Sequence, residues 1–392
     1  MKNVPDIRFK GYKIWETSEL GDLFNERVEN KPNAEMLSVT MNDGIIKASE
    51  NGRYDNSNSN KAKYKLVKVG DIAYNSMRMW QGASGVSHYE GIVSPAYTVL
   101  CPNNGINSDF FSYLFKTNRM IKKFRLHSQG LTKDTWNLKY PALSKISVAY
   151  SSDENEQSEI ASYFRKLSNQ IIEQQKIIAS LKQLKSASLI SMFPQQGETV
   201  PRVRFKGFDG EWNELKADNV FRQFIEKNRP DLPVLSATQD KGMVTRKALG
   251  YDISHDKRNE FSYKHILPGQ FVIHLRSFQG GFAHSDIEGI ASPAYTVFEF
   301  KDEKRHNDIF WKYIFSSKSF IKRLETITYG IRDGRSISFD EFKDMKFLIP
   351  SVDEQHQIAS YFRQLDIQIS EQEKRLEKLK QIKAACLDKM FV

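Results

Sequence analysis

IASYFRKLSNQIIEQQKIIASLKQLKSASLISMF, residues 160–193, returns as IASYFRQLDIQISEQEKRLEKLKQIKAACLDKMF, residues 358–391, at a constant offset of 198 positions. In the first copy the apolar residues fall at Ile160, Phe164, Leu167, Ile171, Ile178 and Leu181. In the second they fall at Ile358, Phe362, Leu365, Ile369, Leu376 and Leu379. Steps of three and four place them on one stripe of a helix. A glutamine, Gln174 or Gln372, interrupts the stripe at the same place in each copy. A helix of about 34 residues would be about 50 Å long, beyond the usual 10–14 residues or so of a globular helix. Such a helix cannot hide its stripe within its own small domain. The simplest partner is the other copy, so two long helices are expected to pack on each other, one from each half of a duplicated chain.

The duplication extends beyond these helices. VPDIRFKGY at 4–12 returns as VPRVRFKGF at 200–208, and Trp15 returns as Trp212. IVSPAYTV at 92–99 returns as IASPAYTV at 290–297. Arg78, Gln81 and Gly82 return as Arg276, Gln279 and Gly280. Two copies are too few for a solenoid and suit a pseudo-twofold protein. Each half begins with a mixed region of about 150 residues, the size of one domain. Short β-rich runs lie at 65–74 and 270–275, and amphipathic helices are expected near 109–124 and 308–324. Residues 51–60 (NGRYDNSNSN) read as an exposed loop, and the Pro and Gly of 194–201 stop the first long helix. The pattern predicts an α+β chain of two repeated globular α/β regions, each followed by a long helix. Residues 53–63 and 245–258 hardly match, so the frame is repeated while the middle of each globular region has diverged.

The 392 residues are enough for two or more domains with real cores. No apolar run reaches the length of a membrane span, and the first residues lack the apolar core of a signal peptide. Two cysteines in unlike contexts, Cys101 and Cys386, argue against a disulfide framework and suit a reducing cytoplasm. A formal charge of +10 suits a polyanionic partner.

Motifs for catalysis are missing. There is no GxxxxGK[ST], no GxGxxG after a strand, no HExxH and no CxxC. Ser94-Pro95-Ala96-Tyr97 and Ser292-Pro293-Ala294-Tyr295 resemble the Asn/Asp-Pro-Pro-Tyr loop of amino-methyltransferases. Serine lacks the planar oxygen that would accept from a target amino group. A turn that leads into a Tyr-Thr-Val strand is the better reading.

Binding candidates are more numerous. Arg78-Met79-Trp80-Gln81-Gly82 and Arg276-Ser277-Phe278-Gln279-Gly280 combine Arg, an aromatic, Gln and Gly. Arginine pairs with guanine edges or phosphate, glutamine with adenine, and glycine permits close backbone approach. A strand end with a buried aromatic and a solvated arginine explains the motif equally well. Residues that read different bases should differ between halves, so Arg78 and Arg276 are read as phosphate or structural contacts. The divergent loops are better placed for base reading. In the first half they carry Arg53, Tyr54, Asn56, Lys61 and Lys63, then Gln129, Lys133 and Trp136. In the second half they carry Lys241, Arg246, Lys247 and Arg258, then Arg332, Arg335 and Ser336. The basic stretch YGIRDGR at 329–335 suits a groove, and a plain solvated loop is the alternative for each of these residues.

Taken together, these marks resemble the DNA-specificity subunit of type I restriction-modification systems. They comprise the twofold repeat, Trp15 and Trp212, GDIAYNSM at 70–77, and GIVSPAY and GIASPAY at 91–97 and 289–295. Glu156-Gln157 and Glu354-Gln355, each before an Ile-Ala, complete the set. One departure is local: the second half keeps Pro350 before Glu-Gln, where the first has Tyr150-Ser151-Ser152.

The resemblance implies target-recognition domains at 1–153 and 201–352, spacer helices at 154–193 and 353–392, and a linker at 194–200. The helices would pack as an antiparallel coiled coil. Each domain would read one half of a split, asymmetric site in double-stranded DNA. Two modification subunits would bring S-adenosylmethionine and methylate adenine. Restriction subunits would add ATP-driven translocation and cleavage with magnesium. The chain itself would hold no cofactor or metal, would be catalytically inert, and would work in the cytoplasm without a membrane. The rivals are a self-sufficient methyltransferase or nuclease with unrecognised motifs, and a coiled-coil scaffold with no DNA role.

Overall fold

Trp15 and Trp212, 1% and 3% exposed, each open a globular region whose first strand pairs with its last. Glu16–Glu19 runs antiparallel to Ser147–Tyr150, and Asn213–Lys216 runs antiparallel to Lys346–Ile349. The computed structural model describes residues 4–12, 14–40, 44–50, 60–238, 241–250, 257–274, 277–327 and 337–392. Its residues form two compact units. One comprises Met1–Lys176 with Lys374–Val392, and the other comprises Ile177–Glu373.

The first unit holds a four-stranded antiparallel sheet in the order Phe24–Glu26, Tyr97–Pro102, Ile72–Asn75 and Ser84–Val86. Two further pairs join Leu37–Val39 to Ile45–Lys47 and Lys65–Val67 to Gly91–Val93. The second unit repeats this order with Phe221–Phe224, Thr296–Phe300, Phe271–Ile273 and Ala283–His284. Its extra pairs are Leu235–Thr238 with Gly242–Thr245 and Lys264–Ile266 with Gly289–Ala291. The β-rich run at 65–74 is therefore two strands. They are separated by a turn in which Gly70 has a φ of +89°, left-handed backbone that glycine adopts without strain.

The single amphipathic helix expected at 109–124 is two helices, Ser108–Leu114 and Asn118–His127. Thr117 restarts the helix. Its hydroxyl accepts from Met120 N at 3.3 Å and donates to Leu114 O at 2.8 Å, so it caps one helix and closes the other. The expectation at 308–324 is corrected in the same way, to Asp308–Phe315 and Lys318–Ile327, with Ser317 in the capping role. The break lets Phe110, Phe111, Phe115 and Phe124 share one core, each almost fully buried.

The long helices span Glu154–Ser191 and Val352–Lys389, 38 residues each, or about 57 Å. Each begins on its own globular region and ends in the other unit. In the first unit Tyr163 Oη lies 3.3 Å from Cys386 Sγ, and Lys383 Nζ donates to Ser168 Oγ at 2.8 Å. In the second, Tyr361 Oη lies 2.9 Å from Ser188 Oγ, and Lys185 bonds Asp366. One partner's number rises as the other's falls, so the two helices run antiparallel within each unit.

Ile160 and Phe164 do not serve a helix seam alone. They join Trp15, Phe110 and Phe391 in the core of the first unit. Ile358 and Phe362 likewise join Trp212, Phe193 and Phe310 in the second, with Leu365 and the half-buried Leu181. Leu167, Ile178 and Ile369 are buried, while Ile171, Leu376 and Leu379 are half-buried. Gln174, which interrupts the stripe in sequence, is 4% exposed and so lies on the buried face.

The Glu-Gln landmarks tie each helix to its globular region. Gln157 Oε1 accepts from Asn107 N at 2.8 Å, and its Nε2 donates to Ser151 O at 2.9 Å. Gln355 repeats both bonds with Asn307 N at 3.0 Å and Pro350 O at 3.1 Å. Glu156 and Glu354 receive bidentate arginines, Arg8 and Arg204. Trp15 Nε1 also donates to Glu156 Oε2, at 3.1 Å. The equivalent Trp212 Nε1 is buried with no hydrogen-bond partner among the described residues. Among those residues, no helix is long and apolar enough to cross a membrane.

Candidate nucleic-acid interface

In the first unit, a cleft of about 510 Å³ opens between the ends of the strands and the loop after the second short helix. Met36, Tyr64, Asn75, Met77, Arg78, Trp80, Ser94, Ala96, Tyr97, Lys133 and Asp134 line it. The strand end at Asn75 turns through a short helical turn, Met79–Gln81. Met79 is the buried residue of that turn, and Trp80 stays half-buried with its Nε1 donating to Met77 O at 3.0 Å. Where the alternative reading put a buried aromatic, the buried residue is Met79, because the turn points Met79 rather than Trp80 into the core.

Arg78 is exposed and donates from Nη1 to Gln81 Oε1 at 3.3 Å, which joins the two candidates of the motif. Gly82 closes the turn with a φ of +81°, and a Cβ there would meet Ile121 Cδ1 at 2.9 Å. Lys116 Nζ donates to Gly82 O at 2.6 Å and so fixes the turn from beneath. Burial, and then the neighbouring Lys383, push the Lys116 ammonium down to about 8.

Opposite stands the loop from Ser128 to Asn137. Gln129 and Asn137 exchange backbone hydrogen bonds at 2.9 and 2.8 Å, and both Gln129 and Lys133 are exposed. Trp136 meets Trp80 edge to face, with ring centroids 5.3 Å apart. The Arg125 guanidinium lies 5.8 Å from the Trp136 centroid, a cation–π distance. Lys61 lies 4.8 Å over the ring of Tyr64, which lines the cleft, and Lys63 is exposed. The fold thus brings Arg78 and Lys133 to one cleft, with Gln81 bonded to Arg78 and Trp136 packed on the cleft's Trp80. Ser94 and Tyr97 of the Ser-Pro-Ala-Tyr stretch also line it. The turn there is real, with Tyr97 N donating to Ser94 O at 2.9 Å before the strand begins.

In the second unit, Arg246 opens the short turn Arg246–Leu249, half-buried, with its guanidinium 6.0 Å from the Tyr263 ring. Its Nε and Nη1 are buried and have no hydrogen-bond partner among the described residues. Lys241, Lys247 and Gln279 are exposed, and Arg258 lies in the turn Lys257–Ser262. Arg53, Tyr54, Asn56, Arg276, Arg332, Arg335 and Ser336 lie outside the described residues.

Sequence reasoning named Trp80 only as the aromatic of its motif, and passed over Tyr64 and Tyr97 as lining residues and Arg125 as the cation on Trp136. Trp80 and Tyr97 lie inside the repeated motifs, which is a usable signal. Arg125 and Tyr64 carry no such mark.

The cleft sets Arg78 and Lys133, with Asp134, beside the aromatic rings of Tyr64, Trp80 and Tyr97, and such cations and rings are the groups that meet phosphate and base faces. The family model for the type I restriction modification DNA specificity domain matches the chain twice, at residues 12–183 and 210–381. A search of curated proteins returns no significant match. Among solved structures, the chain is similar to the type I restriction-modification S subunit from M. genitalium. The TM-score is 0.59 and the identity 13%, over 99% of each chain. It is also similar to a chain from a study titled for complex assembly and conformational transition of the type I R-M system. There the TM-score is 0.53 and the identity 14%, over 97% of this chain and 99% of that one. These likenesses carry the fold, and the twofold family match carries the assignment: the chain belongs to the type I restriction-modification DNA specificity family, with two target-recognition domains.

Proposed function

We propose that each recognition domain reads one half of a split, asymmetric site in double-stranded DNA, and that the long helices set the gap between the halves. The observation that carries this reading is one strand order bearing two surface chemistries. Residues 110–150 hold eight Lys and Arg but one acid, Asp134, whereas residues 310–350 hold eight and five. Domains that differ this much on a common frame are suited to different base sequences. The domains divide near 1–153 and 201–352, with the helices at 154–193 and 353–392 joined through 194–200. Base-reading candidates are Arg53, Tyr54, Lys61, Lys63, Gln129, Lys133 and Trp136 in one domain, and Arg246, Lys247, Arg332, Arg335 and Ser336 in the other. Arg78, Gln81, Arg276 and Gln279 take phosphate or structural roles.

The chain selects the site and does no chemistry itself. Two modification subunits dock on it and bring S-adenosylmethionine. Restriction subunits bring ATP and magnesium, and the complex works in the cytoplasm. The test is to map methylated adenines in cells with the natural chain and with residues 53–63 replaced. One half-site should change or relax while the other and the gap stay the same. A change in both halves together would overturn the two-reader assignment.

A further inference from the structure

Leu131 is 101% exposed, as open as in an extended chain, yet it stands on a tightly built loop. The Gln129–Asn137 pairing closes the base of the loop. Within it, Thr135 N donates to Thr132 O at 3.0 Å, and Thr132 N donates to Thr135 Oγ1 at 3.1 Å. Gly130, with a φ of +141°, lets the strands of the loop close, since a Cβ there would lie 2.6 Å from Thr135 O. A preorganised loop that presents one bare leucine loses little entropy when that leucine is buried by a ligand.

The surroundings say what the ligand is. Lys133 and Asp134, on the same loop, line the basic cleft, and Arg125 packs on Trp136 at the loop's end. Apart from Lys116, which is half-buried beneath the Gly82 turn, the stretch 110–150 carries seven Lys and Arg against a single acid, so an anionic polymer, rather than a neutral protein face, is the partner that fits. Apolar side chains carried into DNA on such surfaces act as wedges that separate stacked base pairs and bend the duplex. We infer that Leu131 is a wedge inserted between base steps at the half-site read by the first domain, with Arg125 holding a flanking phosphate and Lys133 reading an adjacent base. The inference rests on the DNA-reading assignment above.

The test uses the full chain assembled with its modification subunits and a duplex carrying the bipartite site found by methylation mapping. 2-Aminopurine is placed in turn at each step in and beside the first half-site. The natural chain should raise its fluorescence at one step. Leu131→Ala and Leu131→Ser should abolish that rise and weaken binding roughly tenfold, the scale of burying one leucine. Leu131→Phe should keep the rise. Lys133→Ala should weaken binding and relax the sequence preference of the first half-site, with the rise intact.

A rise that survives Leu131→Ser would overturn the wedge alone. So would a Leu131→Ala chain that no longer assembles with its subunits in the absence of DNA, since Leu131 would then be a protein contact. Equal binding of the mapped duplex and an unrelated one by the natural complex would overturn the DNA-reading assignment and the wedge with it.

Discussion

Arg8 donates from Nε and Nη2 to the two carboxylate oxygens of Glu156, at 2.6 and 2.9 Å, across 148 residues of chain. Glu156 has no exposed side-chain surface, and Arg8 retains 15% of its own. The pair binds the chain start to the first turn of a long helix. Arg204 and Glu354 repeat it at 2.7 and 2.8 Å. Removing one member of a buried pair leaves a charge without compensation, which costs about 3–5 kcal/mol. Glu156→Ala should therefore destabilise the first unit by about that amount in urea unfolding. Amide exchange should accelerate around Arg8 and Trp15 and leave residues around Arg204 and Trp212 unchanged. Equal acceleration in both places would show that the clamp does not act within its own unit.

Lys116 makes the first unit's stability depend on pH. Its ammonium is held down at about 8 in the folded chain, against an ordinary value of 10.5. Between those values the unfolded chain holds a proton that the folded chain has released, so stability rises with pH across that window. Below about 8 the full penalty of the buried charge is present. The scale is at most about 3–4 kcal/mol, from roughly 1.4 kcal/mol per unit over the two and a half units or so between the two values. Lys116→Met should remove most of the rise in unfolding free energy between pH 8 and 10.5. A small remainder belongs to Lys383, which burial also lowers. An unchanged slope in the variant would place the titration elsewhere.

The long helices offer a test of the gap. Each starts in one unit and ends in the other, so lengthening one alone would pull its tail from the core that holds it. Four residues inserted after both Glu173 and Glu371 avoid that and lengthen each helix by about 6 Å, with a rotation of about 40°. At 3.4 Å per base pair this is one or two base pairs of DNA. Methylation mapping on a library that varies only the gap should show the preferred gap longer by that amount, with both half-sites unchanged. A gap that does not move would leave the helices as a docking surface only.

The repeat made much of this architecture legible. Residues 160–193 and 358–391 announce two helices because periodicity of three and four is a local property that needs no knowledge of the fold. The landmarks around Trp15, Glu156 and Ser94, each with a twin, marked the family for the same reason. The single helix expected at 109–124 failed at Thr117. Apolar spacing continues through the break, and only the hydroxyl's bonds to Leu114 and Met120 show that one helix ends and another starts. The cleft was half legible: Arg78 and Lys133 stood out by type, while Tyr64 joined them only through folding.

The sequence by itself determined that the chain is two copies of one plan, with two long amphipathic helices and no recognisable catalytic motif. It did so because repetition and periodicity are written along the chain. Only the tertiary structure decided where the helix tails go. Phe391 stacks on Phe164 in the first unit with ring centroids 5.7 Å apart, and Phe193 lies 6.0 Å from Phe362 in the second, so each core is completed by the other half's helix. The cause is burial. A stripe too long for one small domain is covered wherever apolar surface is available, and contacts between residues more than 150 positions apart leave no mark in the spacing of their neighbours.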